Sequence, residues 1–428
     1  MGRFTPSSPD WKRTPRALGL SIVVAVVGCL LCARAARADD GAAGADPSLP
    51  VEVHGFVSQG FIKTTENNYL AASKRGSFEF SEVALNFSKN LTDRMRVGMQ
   101  LFTHDLGPVG NYRTRFDWFY LDYRFRDWLG VRVGRTKLPF GLYNESSDID
   151  AARVPILLPQ SVYPVSNRDY LLAQTGAELY GTVPIGAAGA LEYRLYGGTV
   201  FFDTADATTG LTNVTVPFIL GGRLMWQTPL DGLQVGGSVQ KLRIEAEVPA
   251  AQVGQLQMAG ALPAAFTGVL PIRVPALLSV ASAEYSAHDL LVAAEYSRWR
   301  VSLESPVPAF ATAATTSERF YLMSSYHVRP WFSPGLYYSV WFPDASNRQG
   351  RLPPVAQPAG APPAGRAAYQ HDLGVTLRFD VNPYWIVKLE GHRMHGTAGL
   401  ISSLNDNAPV SSLTKDWGVF LVKTTAYF

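Results

Sequence analysis

The residues with the most chemistry lie in one stretch, from position 131 to position 169. It carries charged side chains of both signs: Arg135, Lys137, Glu145, Asp148, Asp150, Arg153, Arg168 and Asp169. After Lys137 the sequence shows neither helical nor strand periodicity for about thirty residues. A loop of this length inside a compact protein is usually functional. Because opposed cations and carboxylates across a narrow aqueous gap filter solutes by charge and size, these residues predict the constriction of a pore.

The first 38 residues predict a cleaved export signal. A basic segment is followed by an uncharged apolar run from Leu18 to Ala33, and the sequence Ala36-Arg37-Ala38 then offers a signal peptidase site. A lipoprotein site at Cys29 is the alternative, but the apolar residues after Cys29 disfavour it. We therefore expect a signal peptide at 1–38, a short segment at 39–50 in the periplasm and one domain at 51–428.

Removal of this signal changes both the cysteine count and the charge. Both cysteines, Cys29 and Cys32, lie in the signal. Six of the 38 Lys and Arg and one of the 35 Asp and Glu also leave, which changes the net charge from +3 to −2. Nucleic acid is therefore not an expected partner. An exported, cysteine-free, aromatic-rich chain without an apolar run of membrane-helix length is typical of an outer-membrane β-barrel.

Alternating apolar and polar residues predict sixteen antiparallel strands. The segment Arg94–Asp105 is a clear example, with Met95, Val97 and Met99 on one face. Seven short turns and eight long connections separate the strands in strict alternation, which places both termini at the short-turn end. The pattern predicts a sixteen-stranded transmembrane β-barrel with short periplasmic turns and long extracellular loops. The alternation slips at Gln240–Leu242 and at Arg298–Trp299, which predicts β-bulges there.

Strand parity also predicts which charges line the interior, because a bare charge facing hydrocarbon costs about 2–4 kcal/mol at the midplane. The predicted wall residues are Arg94, Arg96, Asp122, Arg124, Arg132, Glu192, Arg194, Arg223, Arg378, Lys388, Glu390 and Lys423. Basic residues outnumber acidic ones nine to three in this set. It predicts a weak preference for anions, although any single arginine here is more simply a solvated wall residue or part of an ion pair.

Aromatic residues mark the ends of the strands. Trp128, Trp226, Trp331 and Trp385 all lie at or beside predicted short turns. Amphipathic rings suit the headgroup level of a membrane, so these residues predict an aromatic girdle in contact with outer-membrane lipid. The chain ends on Phe428, which is similar to the C-terminal signal by which the barrel-assembly machinery recognises its substrates.

Strand five and its exit read Val133-Gly134-Arg135-Thr136-Lys137-Leu138-Pro139-Phe140-Gly141-Leu142. This segment resembles the Gly-x-x-Lys-x-Pro-Phe-Gly-Leu signature of the phosphate-selective porin O/P family. The resemblance implies a sixteen-stranded, usually trimeric outer-membrane channel whose third loop folds into the interior. It does not carry over the phosphate specificity, which depends in that family on basic residues of the third and fifth loops. The fifth loop here, Pro249–Arg273, has no lysine and is rich in apolar residues.

The sequence predicts passive diffusion of small anionic or neutral solutes, and other functions stay open. Apolar stretches in the third and fifth loops admit a channel for organic or aromatic carboxylates, and the family resemblance admits one for phosphate. A barrel enzyme is a further alternative. However, in each of the pairs His104-Asp105, His288-Asp289 and His371-Asp372, neighbours on a strand would face opposite sides. His392 and His395 are poorly spaced to share a metal ion. We expect no catalysis, cofactor or metal.

Overall fold

The computed structural model describes residues 50–107, 110–201, 211–258, 262–263, 266–308, 311–351 and 365–428. The predicted signal peptide at 1–38 and nearly all of the segment 39–50 lie outside the described residues. Within the described ranges, no helix is long and apolar enough to cross a membrane.

Sixteen strands form one closed antiparallel barrel in which each strand pairs with its sequence neighbours and β1 pairs with β16. The strands are β1 (Glu52–Thr64), β2 (Phe80–Thr92), β3 (Met95–Leu106), β4 (Arg115–Arg126), β5 (Leu129–Lys137), β6 (Ala173–Pro184), β7 (Ala190–Phe201), β8 (Thr212–Gln227), β9 (Leu233–Val248), β10 (Leu270–Ala287), β11 (Leu290–Leu303), β12 (Thr312–Tyr326), β13 (Phe332–Phe342), β14 (Gln370–Asn382), β15 (Trp385–Gly396) and β16 (Asp416–Tyr427). The predicted strand number, strand order and alternation of short and long connections are confirmed.

Backbone pairing of the two chain ends closes the barrel. The Gly55 amide donates to the carbonyl oxygen of Phe428 at 3.0 Å, and the Phe428 amide donates to the Gly55 carbonyl at 3.1 Å. A Cβ at Gly55 would meet the Phe428 ring at 2.4 Å, so the ring lies directly over the glycine. The last residue of the chain therefore contributes backbone and side chain to closure.

Strand β10 begins earlier than its predicted start at Leu277 and includes Pro271 and Pro275. Proline has no N–H to donate, so a paired strand interior usually excludes it. The amide of Arg273, which lies midway between the two prolines, donates to the carbonyl oxygen of Glu304 just beyond the end of β11. Alternate residues of a strand direct their backbone N–H groups to the same side, so the nitrogens of both prolines face β11. Regular pairing with β11 starts only at Ala276. The prolines therefore replace N–H groups that would have had no strand partner.

The bulges predicted at Gln240–Leu242 and Arg298–Trp299 are wrong. The register of β9 runs without a shift through the first site, and the only shift along β11 lies further on, between Val301 and Leu303. What changes along β9 is the polarity of its two faces. Val239 points outward and Ser238 inward, whereas beyond them the outward residue is Lys241 and the inward residue is Leu242. The alternation reverses because this part of the wall is apolar on its inner side.

In the described residues, the helices of the connections are all short. Helix α1 (Arg168–Leu171) ends the loop after β5, and helix α2 (Ala250–Met258) lies in the loop after β9. Single turns of 3-10 helix occur at Ser73–Arg75, Asn144–Ser146, Asp150–Ala152, Val165–Asn167, Gly186–Ala188, Ala345–Asn347, Gly365–Ala368, Ser402–Leu404 and Val410–Ser412. The segment 138–172 between β5 and β6, called here the third loop, occupies the barrel interior.

Candidate functional site

The third loop is tied to its own base and crosses the interior to the opposite wall. The Asn144 side-chain amide donates to the carbonyls of Leu138 and Leu171, which joins the beginning of the loop to its end. The Gly141 amide donates to Ser238 Oγ on β9 at 3.0 Å. The Leu142 amide donates to Glu295 Oε1 on β11 at 2.9 Å. A positive φ of 66° at Gly141 allows the sharp turn that brings these amides to the wall.

Asp150 is the main charged anchor of the loop. Its carboxylate is fully buried and lies 2.7 Å from Lys423 Nζ on β16 and 3.9 Å from Lys388 Nζ on β15. It also accepts a hydrogen bond from Thr425 Oγ1 at 2.8 Å and pairs with Arg153 at 3.3 Å. Burial alone would raise the pKa of this carboxyl, but the nearby cations lower it below its ordinary value.

Residues 151–157 are held by charged groups of β14 and β15. Arg378 donates to the carbonyl oxygens of Ala151 and Arg153 at 2.7 and 3.1 Å. Glu390 accepts from the backbone amides of Ile156 and Leu157 at 2.6 and 3.0 Å. Charge-assisted hydrogen bonds of this kind are stronger than neutral ones. This part of the loop is therefore fixed by its backbone as well as by its side chains.

Glu145 fixes the near side of the loop to β7 and β8. It pairs with Arg194 at 3.0 Å and with Arg223 at 3.2 Å. These arginines also bind wall carboxylates, Arg194 to Glu178 and Arg223 to Glu192. Burial would raise the pKa of Glu145, and the two arginines lower it. Glu145, the two arginines and the two wall carboxylates thus form one charge-compensated network.

A second network holds the loop against β3, β4 and β5. Asp148 is buried, accepts a hydrogen bond from Gln100 at 2.9 Å and pairs with Lys137. Although burial opposes it, Lys137 followed by Arg168 lowers the pKa of Asp148 to about 2. Arg168 donates to both carboxylate oxygens of Asp117 at 2.9 Å. The Asp169 side chain lies outside the described residues.

Apolar packing also holds the third loop against the barrel wall. Ile156 and Leu157 pack with residues of β1, β2, β15 and β16. Phe140 packs with Ile219 on β8 and Leu242 on β9. Fully burying an aliphatic or aromatic side chain stabilises by about 1.5–3 kcal/mol. The apolar run after Arg153 therefore fixes the loop to the wall.

The structure places most of the remaining predicted wall residues on the inner face as well. Arg132 pairs with Asp122 at 3.0 Å and lies over the Tyr180 ring at 4.6 Å. Arg96 pairs with Glu52 near the short-turn end, where Arg124 is exposed.

Two predicted site residues are placed elsewhere. Arg94 lies in the turn between β2 and β3, so it does not belong to a strand wall. Arg135 shares a register position with Phe119, whose side chain is 41% exposed on the outer surface. Arg135 donates to the Asp117 carbonyl at 2.9 Å and does not line the interior. The residue after the positive-φ Gly134 therefore faces away from the pore.

The predicted excess of basic residues on the inner wall is wrong, because several carboxylates were missed. They are Glu82, Asp117, Glu178, Glu284, Glu295 and Asp372, each of which contacts the loop or an inward side chain. Strand parity alone assigns Glu178 and Glu295 to the interior, so the signal was present in the sequence. The inner wall is close to charge balance.

A buried histidine was also missed. His392 on β15 hydrogen bonds Asp372 at 2.9 Å and Glu390 at 3.0 Å, and Tyr337 lies 3.2 Å from its Nδ1. Glu390 lies two residues away on the same face of β15, so strand parity could have identified this partner, whereas Asp372 and Tyr337 come from β14 and β13 and no local spacing indicates them. Through Glu390 this cluster supports the third loop. In the described part of the chain, no group of three or more His, Cys, Asp or Glu side chains could hold a metal ion.

The four predicted girdle tryptophans lie at the short-turn end and are exposed. Trp128 and Trp331 belong to turns and are 54% and 55% exposed, while Trp226 and Trp385 lie at strand ends. Phe428 is 61% exposed beside the same end of β1. Exposed aromatic side chains therefore lie at this end of the barrel, beside several of its strands.

No protein-family model matches the sequence, and no curated protein matches it. Solved structures do match the fold. Outer-membrane expressed OmpT of Vibrio cholerae has a TM-score of 0.54 at 10% identity, over 88% of this chain and 97% of that chain. An anion-selective porin from Comamonas acidovorans has a TM-score of 0.51 at 11% identity, over 89% and 99%. Salmonella typhi OmpF in complex with daunomycin has a TM-score of 0.50 at 12% identity, over 89% and 98%. At these identities the likeness shows the sixteen-stranded porin fold.

Proposed function

We propose that the protein is an outer-membrane channel of a Gram-negative bacterium for passive diffusion of small hydrophilic solutes and ions. The observation that carries the proposal is the charged third loop inside a closed sixteen-stranded barrel. Barrels of this size are wide enough for an aqueous channel, and an infolded loop narrows that channel to a filter. Its filter would be formed by the third loop, which Glu145, Asp148, Asp150, Arg153 and Arg168 hold in place inside the barrel.

Two sequence features support the proposed route to the membrane. A signal peptide at 1–38 would direct export, and Phe428 would be recognised by the barrel-assembly machinery. The tryptophan band at the short-turn end would lie at the inner headgroup level. A homotrimer is supported by the family resemblance of the 134–142 segment and by a matching solved structure described as the trimer form of V. cholerae OmpT.

A weak anion preference has limited but specific support. Arg94 and Arg124 are exposed at the short-turn mouth, and neither has an ion-pair partner among the described residues. Their field would attract anions into the vestibule. The arginines of the third loop contribute less to attracting anions, because Arg153 donates to loop carbonyls and Arg168 pairs with Asp117. This pairing also weighs against a phosphate-specific channel.

The enzyme alternative has little support from the geometry. The cluster that most resembles catalytic machinery is His392 with Asp372 and Glu390, and the His392 side chain is 1% exposed. A catalytic group must reach its substrate. We therefore propose a channel without catalysis and without a cofactor.

Swelling of proteoliposomes tests the proposal. Folded protein in phospholipid vesicles is mixed with isotonic solutions of uncharged solutes of increasing size. We expect fast swelling with pentoses and a steep fall in rate with di- and trisaccharides. Vesicles with heat-denatured protein are the control. Swelling no faster than in that control would contradict the channel.

A further inference from the structure

A pocket inside the barrel, on the long-loop side of the third loop, lies beside the His392 cluster and shares Asp372 with it. Three adjacent strands form its floor, with Arg319 on β12, Trp341 on β13 and Gln370 on β14 in one register row. Ser161 of the third loop lines one side. Tyr69 and Leu400, from the loops after β1 and β15, line the other. A solute that enters from the long-loop end would meet this pocket before the constriction.

Arg319 and Trp341 contribute hydrogen-bond donors to the pocket. Arg319 is 6% exposed, and its guanidinium carbon lies 3.4 Å from the ring centre of Trp299 and 4.9 Å from that of Trp341. It donates to the Ser161 carbonyl at 3.0 Å. The Trp341 indole nitrogen is buried and has no acceptor among the described residues. A buried donor without an acceptor is unfavourable, and such groups in folded proteins usually have a partner in a ligand or water.

The rest of the lining restricts the class of ligand. Leu70, Pro164 and Leu400 present apolar surface beside the donors. Asp372 is the one carboxylate among the described lining residues, and its two oxygens accept hydrogen bonds from Tyr337 and His392. A guanidinium and an indole N–H suit one carboxylate group, while the apolar side suits a hydrocarbon body. Arg319 compensates one negative charge, whereas a second negative charge would meet the uncompensated repulsion of Asp372.

We propose that this pocket binds small monocarboxylates with an apolar body, such as an aromatic acid, and makes the channel selective for them. The carboxylate accepts hydrogen bonds from Trp341 Nε1 and the Arg319 guanidinium, and the ring lies against the apolar side. The inference deepens the proposed channel function and rests on it for its physiological role. Binding itself does not depend on conduction.

Benzoate is the probe for the test. In planar bilayers with KCl, we expect benzoate added on the long-loop side to reduce the single-channel current in a saturable way. Trp341→Phe keeps the ring and removes the N–H, and we expect it to raise the half-blocking concentration about tenfold. Trp331→Phe, in a short turn at the other end, is the matched control and should leave the block unchanged. Benzamide and inorganic phosphate should block only weakly.

A second measurement separates this inference from the channel proposal. Isothermal titration of the folded, detergent-solubilised protein with benzoate should show saturable binding that Trp341→Phe weakens about tenfold. Absence of current together with such binding would overturn the channel and support the pocket. Current without block, no binding, or equal affinity in Trp341→Phe and wild type would overturn the pocket. Gel mobility before and after heating confirms that each variant is folded.

Discussion

Replacing Asp150 with asparagine should release the third loop from the far wall. The carboxylate is fully buried and compensates Lys423 at 2.7 Å, Arg153 at 3.3 Å and Lys388 at 3.9 Å. Asparagine keeps the shape and removes the charge. Breaking a buried pair by removing one partner costs about 3–5 kcal/mol, because the remaining charges stay buried. At about 1.4 kcal/mol for each factor of ten, the equilibrium for loop release should increase about 10²- to 4 × 10³-fold.

The absence of cysteine after position 38 allows a direct assay. Ile156→Cys places a reporter thiol at a position that is 1% exposed, so a polar thiol reagent reacts only when the loop detaches from the barrel wall. In this background we expect Asp150→Asn to increase the modification rate about 10²- to 4 × 10³-fold. Asp406→Asn, an exposed carboxylate in another loop, is the matched control. A rate within threefold of the parent would refute the anchoring role of Asp150.

Three further predictions concern the same framework. Glu390→Gln weakens the bonds to the Ile156 and Leu157 amides and should increase the thiol modification rate about 10- to 100-fold, whereas no change would contradict this anchor. Because the pKa of Asp148 is lowered to about 2, loop attachment should be fully stabilised above pH of about 4 and lost as pH falls toward 2. Single-channel closures should therefore be infrequent from pH 8 to 5 and increase below pH 4, and closures that instead increase toward pH 8 would contradict the assigned sign. Gly130→Ala places a Cβ 2.2 Å from the Tyr180 ring and should lower the unfolding temperature. Gly391→Ala is the control, because its Cβ meets nothing within 4 Å. Equal unfolding temperatures of the two variants would contradict the predicted clash.

The sequence was sufficient for the barrel because its signal is local. Alternation along each strand, as in Met95–Leu106, depends only on which face meets lipid, and the short turns follow from nearby residues. The ends of strands were harder to predict from the sequence where prolines occur. Pro271 was assigned to a loop because a paired strand usually excludes proline. A strand can accept this proline here only because regular pairing with β11 starts at Ala276, which the sequence of β10 does not reveal.

The sequence predicted which charged residues face the interior, but it did not predict which residues they contact. Lys388, Glu390 and Lys423 were assigned inward by parity, and the structure places them there. Their pairing with Asp150 and the loop amides joins positions more than 200 residues apart, and no local pattern encodes such contacts. For the same reason the predicted basic excess was wrong. Each cation was counted alone, although the wall and loop carboxylates neutralise most of them.

Single-channel recording in a planar bilayer tests the central claim most directly. Folded protein in a KCl gradient should give discrete conductance steps, with the successive closing levels of a trimer and a reversal potential of anion sign but small magnitude, because the inner charges are nearly balanced. Folded protein that inserts into the bilayer and carries no current would contradict the channel. A reversal potential close to that of ideal anion selectivity would contradict the assigned charge balance.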